Sequence, residues 1–228
     1  MRAIGRARRC DQDRRAVASV EQMESHLQKT LHAGEQEGKD VRQARRARIE
    51  ALPTMNIEKL VFIDETWTTA NMTRRYGRAP RGKRSIGSAP HGQGKTTTFA
   101  GVLRRRRLTA PMVTDEPVDG EMFLAYVRKF LCPARRPGEI VILDNLSSHK
   151  VAGVEEAITA AGATVLYLPP YSPHLDPIGK FFPKLKALLR KAAKRSIDEL
   201  WREIGRLLDG VTQSECEDYI ASCGYVNT

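Results

Sequence analysis

The chain has 228 residues, of which 41% are hydrophobic and 29% charged, a globular composition long enough for one sizeable α/β domain with a short extension. Lys and Arg total 38 against 27 Asp and Glu, and the resulting net charge of +11 favours a polyanionic partner such as nucleic acid. Apolar runs stay well short of the roughly 20 residues of a membrane span, no apolar stretch of a signal peptide follows the arginine-rich N-terminus, and the four cysteines form no C-x-x-C pair for zinc.

Residues 1–50 are predicted to form a polar, basic N-terminal arm that is helical or disordered. This stretch is rich in Arg, Glu and Gln and has few large apolar residues, so it cannot build a hydrophobic core of its own. Its Arg-Arg pairs are typical of a solvated surface, with non-specific contact to phosphate as the alternative. It contains no convincing helix-turn-helix pattern of the kind that reads DNA sequence.

Three β-type segments come next. Residues 60–63 are predicted to form a short buried strand that ends on Asp64, and the runs 96–103 and 108–114 are predicted as the second and third strands. A basic loop, residues 71–84, lies between the first two and is punctuated by Gly and Pro.

Helices and strands then alternate. Asp119 is predicted to cap an amphipathic helix, residues 140–143 to form a strand that ends on Asp144, and a second helix to lead into a strand at 164–168. Three strands followed by such βα units predict a mixed sheet with helices on its faces. Provided that the first and fourth strands are neighbours, Asp64 and Asp144 reach one groove, where paired carboxylates are suited to bind divalent metal ions.

The C-terminal third is predicted to be helical. After a Pro-rich loop, the apolar spacing predicts a helix that begins either at Pro177, with Asp176 as its N-cap, or at Pro183, because a proline inside a helix removes a hydrogen bond. Two S-x-x-E capping boxes predict further helices, opened by Ser196 and Ser214.

Three segments in order along the chain carry a family resemblance: residues 62–66, 144–150 and 168–178. Together they resemble the catalytic core of bacterial insertion-sequence transposases related to the Tc/mariner superfamily. The resemblance implies an α/β, ribonuclease-H-like fold: a five-stranded mixed sheet with helices on both faces, plus C-terminal helices. It further implies a DDE catalytic triad that uses two Mg²⁺ or Mn²⁺ ions for DNA strand cleavage and strand transfer.

The resemblance makes Asp64 and Asp144 the first two metal ligands, but the third acid is missing. In the family this acid follows an Asn-Pro-Ile segment, with 34 residues between it and the second aspartate; at that register the sequence has Gly179, preceded by Asp176-Pro-Ile. We therefore expect cleavage to be severely impaired. Asp176, about a turn away, is a candidate substitute ligand, whereas Glu65 is expected to point to the other side of its strand.

Basic residues near these motifs are candidate DNA contacts, with a solvated surface as the alternative. The candidates are Arg74, Arg75, Arg78, Arg81, Lys83, Arg84, His149, Lys150, Lys184 and Lys186. For His149, a structural role at the start of a helix is the alternative. Trp67 is expected to pack in the core or at a sheet edge.

The resemblance divides the chain into the arm 1–50, a catalytic core 57–195 and a C-terminal helical extension 196–228. It implies transposon ends and target DNA as partners, a homo-oligomer on DNA, and a cytoplasmic, nucleoid-associated location in bacteria. Neither a membrane nor a nucleotide cofactor is expected, since the hint of a phosphate loop near Gly94 lacks its upstream glycine. The missing helix-turn-helix predicts an N-terminally truncated or remodelled member.

The sequence therefore predicts a transposase core that has been damaged at one catalytic ligand. One alternative is a non-catalytic DNA-binding or oligomerising fragment, inert or inhibitory to intact copies. Another is a cellular nuclease of the same fold, which would also need the missing acid.

Overall fold

The computed structural model describes residues 38–87 and 95–226, all within the second of the chain's two structural units, Gln36–Thr228. The strands in these ranges are β1 (Leu60–Thr69), β2 (Thr96–Leu103), β3 (Leu108–Thr114), β4 (Ile140–Leu143) and β5 (Thr164–Tyr167). The helices are α1 (Lys39–Ala51), α2 (Gly120–Tyr126), α3 (Cys132–Ala134), α4 (Val154–Ala160), α5 (Pro177–Ala192), α6 (Ile197–Asp209) and α7 (Gln213–Ser222), with a π-helical turn (Val127–Leu131) joining α2 to α3.

The five strands form one mixed sheet in the order β3-β2-β1-β4-β5. β1, β2 and β3 pair antiparallel as a meander, whereas β4 joins β1 in parallel and β5 joins β4 in parallel. The predicted five-stranded mixed sheet is therefore confirmed, and so is the expectation that the first and fourth strands are neighbours.

The register of β1 against β4 sets the height of the two aspartates. Phe62 pairs with Ile142, so Asp64 and Asp144 each lie two residues beyond a paired position, in the same strand direction. Because residues two apart point to the same face of a strand, the two carboxylates follow equivalent positions on adjacent strands.

Hydrophobic side chains alternate between the two faces of the sheet. On one face, Phe62 and Ile142 belong to a cluster that includes α5, α6 and α7 residues. On the other, Val61 and Val141 pack with residues of α2 and α4. β1 is buried on both sides over its first four residues, as expected for a central strand covered by helices on both faces.

The C-terminal helices share the main core. Leu200 and Ile204 of α6 and Cys216 and Ile220 of α7 are buried in the same cluster as the β1 side chains. The described part of the predicted extension 196–228, residues 196–226, thus contributes to one hydrophobic core with the sheet. The last helix is capped by Thr212, whose side chain accepts from the Glu215 backbone N–H, and not by Ser214 as predicted.

Helix α5 begins at Pro177 with Asp176 as its N-cap, so a start at Pro183 is wrong. Pro183 lies inside the helix, where it has no N–H to donate to the carbonyl of Gly179 four residues earlier. A proline ring also crowds the carbonyl four residues before it. Here that carbonyl belongs to Gly179, and glycine is the residue whose backbone adjusts most easily to such crowding.

Part of the predicted arm is helical and docks on the domain. Helix α1 covers residues 39–51, and residues 1–37 lie outside the described part of the chain. The Arg45 guanidinium donates to the carbonyl of Pro170 at 3.3 Å, and Arg48 to that of Tyr167 at 3.1 Å. Within the described ranges, the helices are too short or too polar to cross a membrane.

Candidate active site

Asp64 and Asp144 line one groove beyond the end of β4. β1 continues to Thr69 along β2, so Asp64 lies within the strand and not at its end as predicted. β4 stops at Leu143, one residue before Asp144, and the β1–β4 pairing stops at Phe62. Both carboxylates line a cavity of about 490 Å³.

Local hydrogen bonds hold the two carboxylates in place. Asp64 Oδ1 accepts from the Glu65 backbone N–H at 2.8 Å. Asp144 Oδ1 accepts from the Leu146 backbone N–H at 3.0 Å and lies 2.5 Å from His149 Nδ1. Each side chain is thus oriented by its own loop or strand, as a rigid ligand pair requires.

His149 is buried between two acids and is not on a DNA-facing surface. Its imidazole is 0% exposed, with Nδ1 against Asp144 and Nε2 2.9 Å from Glu65 Oε2. The ring also lies against Phe123, with 4.1 Å between ring centroids. The ring is not available at the surface for the predicted phosphate contact. The structural alternative agrees with the position of His149 in the 3₁₀ turn Ser147–Lys150.

The three-residue chain Glu65–His149–Asp144 carries a positive charge at its centre. Burial by itself would lower the pKa of His149, but the Asp144 and Glu65 carboxylates outweigh burial and raise the pKa to about 9. At neutral pH the imidazolium therefore bridges the two carboxylates. Glu65 does point away from Asp64, as predicted, and the structure shows what it contacts there.

Asp176 enters the same site from the start of α5. Its carboxyl group is in hydrogen-bonding contact with that of Asp64, and it lines the cavity together with Asp64 and Asp144. Its Oδ2 also accepts from the Gly179 backbone N–H at 2.9 Å, as an N-cap does. The structure thus brings three aspartates together, whereas position 179 offers only backbone.

Burial and mutual repulsion raise the pKa values of two of these aspartates. Burial, followed by the charges of Asp176 and Glu65, raises the pKa of Asp64 to about 9. Burial also raises the pKa of Asp176, to about 6, against the lowering effect of the Gly179 N–H. At neutral pH the Asp64 carboxyl therefore holds a proton, which a divalent cation would displace on binding.

The residues present fit Mg²⁺ or Mn²⁺. All three side chains offer carboxyl oxygen, the ligand that these hard cations prefer, and a bound cation would offset the repulsion between neighbouring acids that raises the pKa of Asp64. Among residues 38–87 and 95–226, no three His, Cys, Asp or Glu side chains already enclose an ion on their own. Mg²⁺ sites commonly use one or two carboxylates and complete the shell with water and phosphate oxygen, which an open groove permits.

Positive charge lies directly beside the acids. A second cavity, of about 710 Å³, is lined by Asp64 and Asp176 together with Arg75, Lys186 and Arg190. A third, of about 720 Å³, lies between the basic loop and the end of α5 and is lined by basic side chains from both: Arg74, Arg75, Arg78, Arg190, Lys191 and Arg195. Two basic segments far apart in sequence thus form one surface that leads to the carboxylates.

Some of the other predicted DNA contacts are exposed, and others interact with neighbouring side chains of the protein. Arg81, Lys83 and Arg84 are exposed on the basic loop. Lys150 instead donates to Asn145 Oδ1, and Lys184 pairs with Glu215. These two bonds orient both ammonium groups within the protein.

Trp67 is a surface feature that sequence reasoning misplaced. It was expected to pack in the core or at an edge, but its side chain is 64% exposed. The Lys186 ammonium lies 4.9 Å from the ring centroid, and both residues line the cavity beside Asp64. The strand alternation offers a signal for this exposure, because Thr66 and Thr68 are buried and Trp67 between them points to the opposite face of β1.

The amino-acid sequence matches the DDE superfamily endonuclease family over residues 59–201, well over half of the chain. The matched stretch contains Asp64, Asp144 and Asp176. The chain therefore belongs to the DDE superfamily endonuclease family, as its motifs predicted. A search among curated proteins finds no match.

Solved structures of the Mos1 mariner transposase share the fold. The Mos1 paired-end complex with the left transposon end matches with a TM-score of 0.68 and 16% identity over 92% of this chain and 67% of the other. The Mos1 strand transfer complex matches with a TM-score of 0.68 and 17% identity, over 92% and 66% of the two chains. The Mos1 catalytic domain matches with a TM-score of 0.60 and 14% identity, over 85% of this chain and 90% of the other. This chain thus spans about two thirds of the Mos1 chains in those complexes, and the likeness confirms the ribonuclease-H-like catalytic fold.

Proposed function

We propose that the chain is the catalytic part of a DNA transposase, acting in metal-dependent strand cleavage and strand transfer. The observation that carries this proposal is the placement of Asp64 on β1 and of Asp144 just beyond the end of the adjacent parallel strand β4, with both carboxylates lining one groove. Family membership and the fold shared with Mos1, whose structures include complexes with a transposon end and with Mn, support it.

Asp64 and Asp144 would hold the metal ions, and the Glu65–His149–Asp144 chain would keep Asp144 pointed into the groove. Two Mg²⁺ or Mn²⁺ ions bound there would activate a water or a DNA 3′-hydroxyl and stabilise the leaving oxygen. The contribution of the protein itself is to orient these ligands.

The basic surface supplies the DNA path in this proposal. Arg75 and Arg190 lie on the cavity that also contains Asp64, so a phosphate bound by them would be next to the acids. Such contacts are sequence-independent and weaken with salt. Replacing Arg75 and Arg190 with Ala should weaken duplex binding and reduce the salt slope by about two, roughly one per lost phosphate contact. An unchanged slope would place the DNA elsewhere.

We further propose that cleavage is impaired relative to an enzyme with an acid at position 179, because Gly179 offers no side-chain ligand. Nicking of supercoiled plasmid with Mn²⁺ tests both points without knowledge of the transposon ends. The native chain should nick slowly, Asp64→Asn should not nick, and Gly179→Glu should nick at least about tenfold faster, since loss of a group that merely supports a metal ligand already costs about ten- to a hundredfold. Equal nicking by the native chain and Asp64→Asn would reject the proposed site.

The same Gly179 favours a second candidate function, a non-catalytic DNA-binding or oligomerising fragment. In that case neither the native chain nor Gly179→Glu would nick DNA, while both would bind it. Adding the native chain to an intact related transposase would then separate an inhibitor from an inert fragment, since only an inhibitor lowers the rate of the intact enzyme.

A further inference from the structure

We propose that Asp176 takes the place of the missing acid at position 179 and is the third metal ligand of this chain. The inference rests on the proposed function, because it concerns the metal site on which that function depends. In this proposal the third metal-binding carboxylate comes from Asp176, three residues before position 179, where the family resemblance leads us to expect the acid.

The first observation is the position of the Asp176 carboxyl group. It touches the carboxyl group of Asp64 and lines the same cavity as Asp144. A side chain serving only as an N-cap needs contact with the first turn of its helix, and the Asp64 contact is additional to that. Asparagine is the residue that the family resemblance leads us to expect here, and it would cap equally well without a charge.

The second observation is the space that Gly179 leaves. A Cβ atom at position 179 would lie 2.5 Å from Asp176 Oδ2 and 3.4 Å from its Cγ. Contacts below 3 Å do not occur between such atoms, so any side chain at 179 would displace the Asp176 carboxyl from its present position. The present position of the Asp176 carboxylate therefore requires a glycine at position 179, because any larger residue there would overlap with that carboxylate.

The two departures from the family pattern thus compensate each other in charge. The segment Asp176-Pro-Ile-Gly179 carries one carboxylate, as Asn-Pro-Ile followed by an acid would, and directs it into the same groove. The substitution has a cost, because Asp176 Oδ2 is also bound to the Gly179 N–H at 2.9 Å. Sharing that carboxylate between the helix and a cation explains why the site would be weaker than one with a longer, uncommitted side chain.

The test is Mn²⁺ binding by isothermal titration calorimetry in the absence of DNA. Asp176→Asn keeps the shape and the cap, because the amide oxygen still accepts from the Gly179 N–H, and removes only the charge. We expect it to weaken Mn²⁺ binding at least about tenfold, with an unchanged thermal midpoint in metal-free buffer. The double variant Asp176→Asn/Gly179→Glu, which restores the family pattern, should recover native affinity or exceed it.

A matched control and a reference variant make the outcomes distinct. Asp198→Asn removes an exposed charge from the first turn of α6 and should bind Mn²⁺ as the native chain does. Asp64→Asn should weaken binding whether or not Asp176 is a ligand. Native affinity in Asp176→Asn with weak binding in Asp64→Asn would overturn this inference and leave the proposed function standing; native affinity in both variants would overturn the metal site itself. A loss in Asp198→Asn equal to that in Asp176→Asn would also contradict the inference.

Discussion

Replacing His149 with Ala should be among the most damaging single changes in this protein. The imidazole is 0% exposed and contacts Asp144, Glu65 and the Phe123 ring. Truncating a buried side chain of this size costs about 2–5 kcal/mol, and removing one member of a buried charge pair costs about 3–5 kcal/mol. The two estimates describe the same atoms and overlap, so we expect the free energy of unfolding to fall by about 4 kcal/mol.

Urea unfolding at pH 6.5, followed by circular dichroism, measures this loss. Ser147→Ala, an exposed change in the same 3₁₀ turn, is the matched control and should stay within about 0.5 kcal/mol of the native chain. Glu65→Gln keeps a hydrogen-bonding partner for Nε2 and should cost less than His149→Ala. A loss below about 1 kcal/mol for His149→Ala would refute the view that this cation holds the two acids together.

Three further predictions concern stability. In metal-free buffer the free energy of unfolding should fall by at least about 3 kcal/mol between pH 6.5 and 9, because native His149, with its pKa raised to about 9, keeps a proton that the unfolded chain loses near pH 6.5. Asp64, whose pKa is also raised to about 9, keeps a proton that the unfolded chain has already lost and so adds to this fall; urea midpoints that rise or stay constant over this range would contradict the prediction. Arg104→Met should cost about 3 kcal/mol, since it leaves the buried Glu139 carboxylate without the guanidinium 2.9 Å away, and Arg104→Met/Glu139→Gln should recover part of the loss in the same urea assay. Pro183→Ala should raise the thermal midpoint by restoring a helical hydrogen bond, worth up to about 3 kcal/mol; an unchanged or lower midpoint would mean that α5 bears no strain at this proline.

Several helices and strands were predictable from local sequence signals, namely N-cap residues and apolar runs. The side-chain oxygens of Asp119 and Ser196 accept from backbone N–H groups three residues on and open their helices as predicted. The strand at 164–167 also lies where its apolar run placed it. The capping pattern failed at Ser214, because Thr212 two residues earlier presents the same chemistry and α7 begins there. Local sequence indicates that a cap is present, but Ser and Thr are both common N-cap residues, so capping preference alone does not choose between two candidates two positions apart.

The sequence identified two acids that line the groove but not the side chains that they contact. Asp64 and Asp144 were identifiable because each follows an apolar strand segment within a recognisable motif. That they share a groove depends on the register of Phe62 against Ile142, which is decided by the packing of the whole sheet. His149 was assigned to DNA because an isolated histidine in a sequence does not reveal whether it is buried.

The sequence by itself determined the family, the order of strands and helices, the basic character and the glycine at position 179, where the family resemblance leads us to expect an acid. Each of these depends on residue identity and on spacing along the chain. Only the tertiary structure decided that Asp176 enters the groove and that Glu65 reaches His149. Those contacts depend on where α5 and the loop after β4 are packed on the sheet, and Glu65 and His149 lie 84 positions apart, so their proximity arises only when the hydrophobic core assembles.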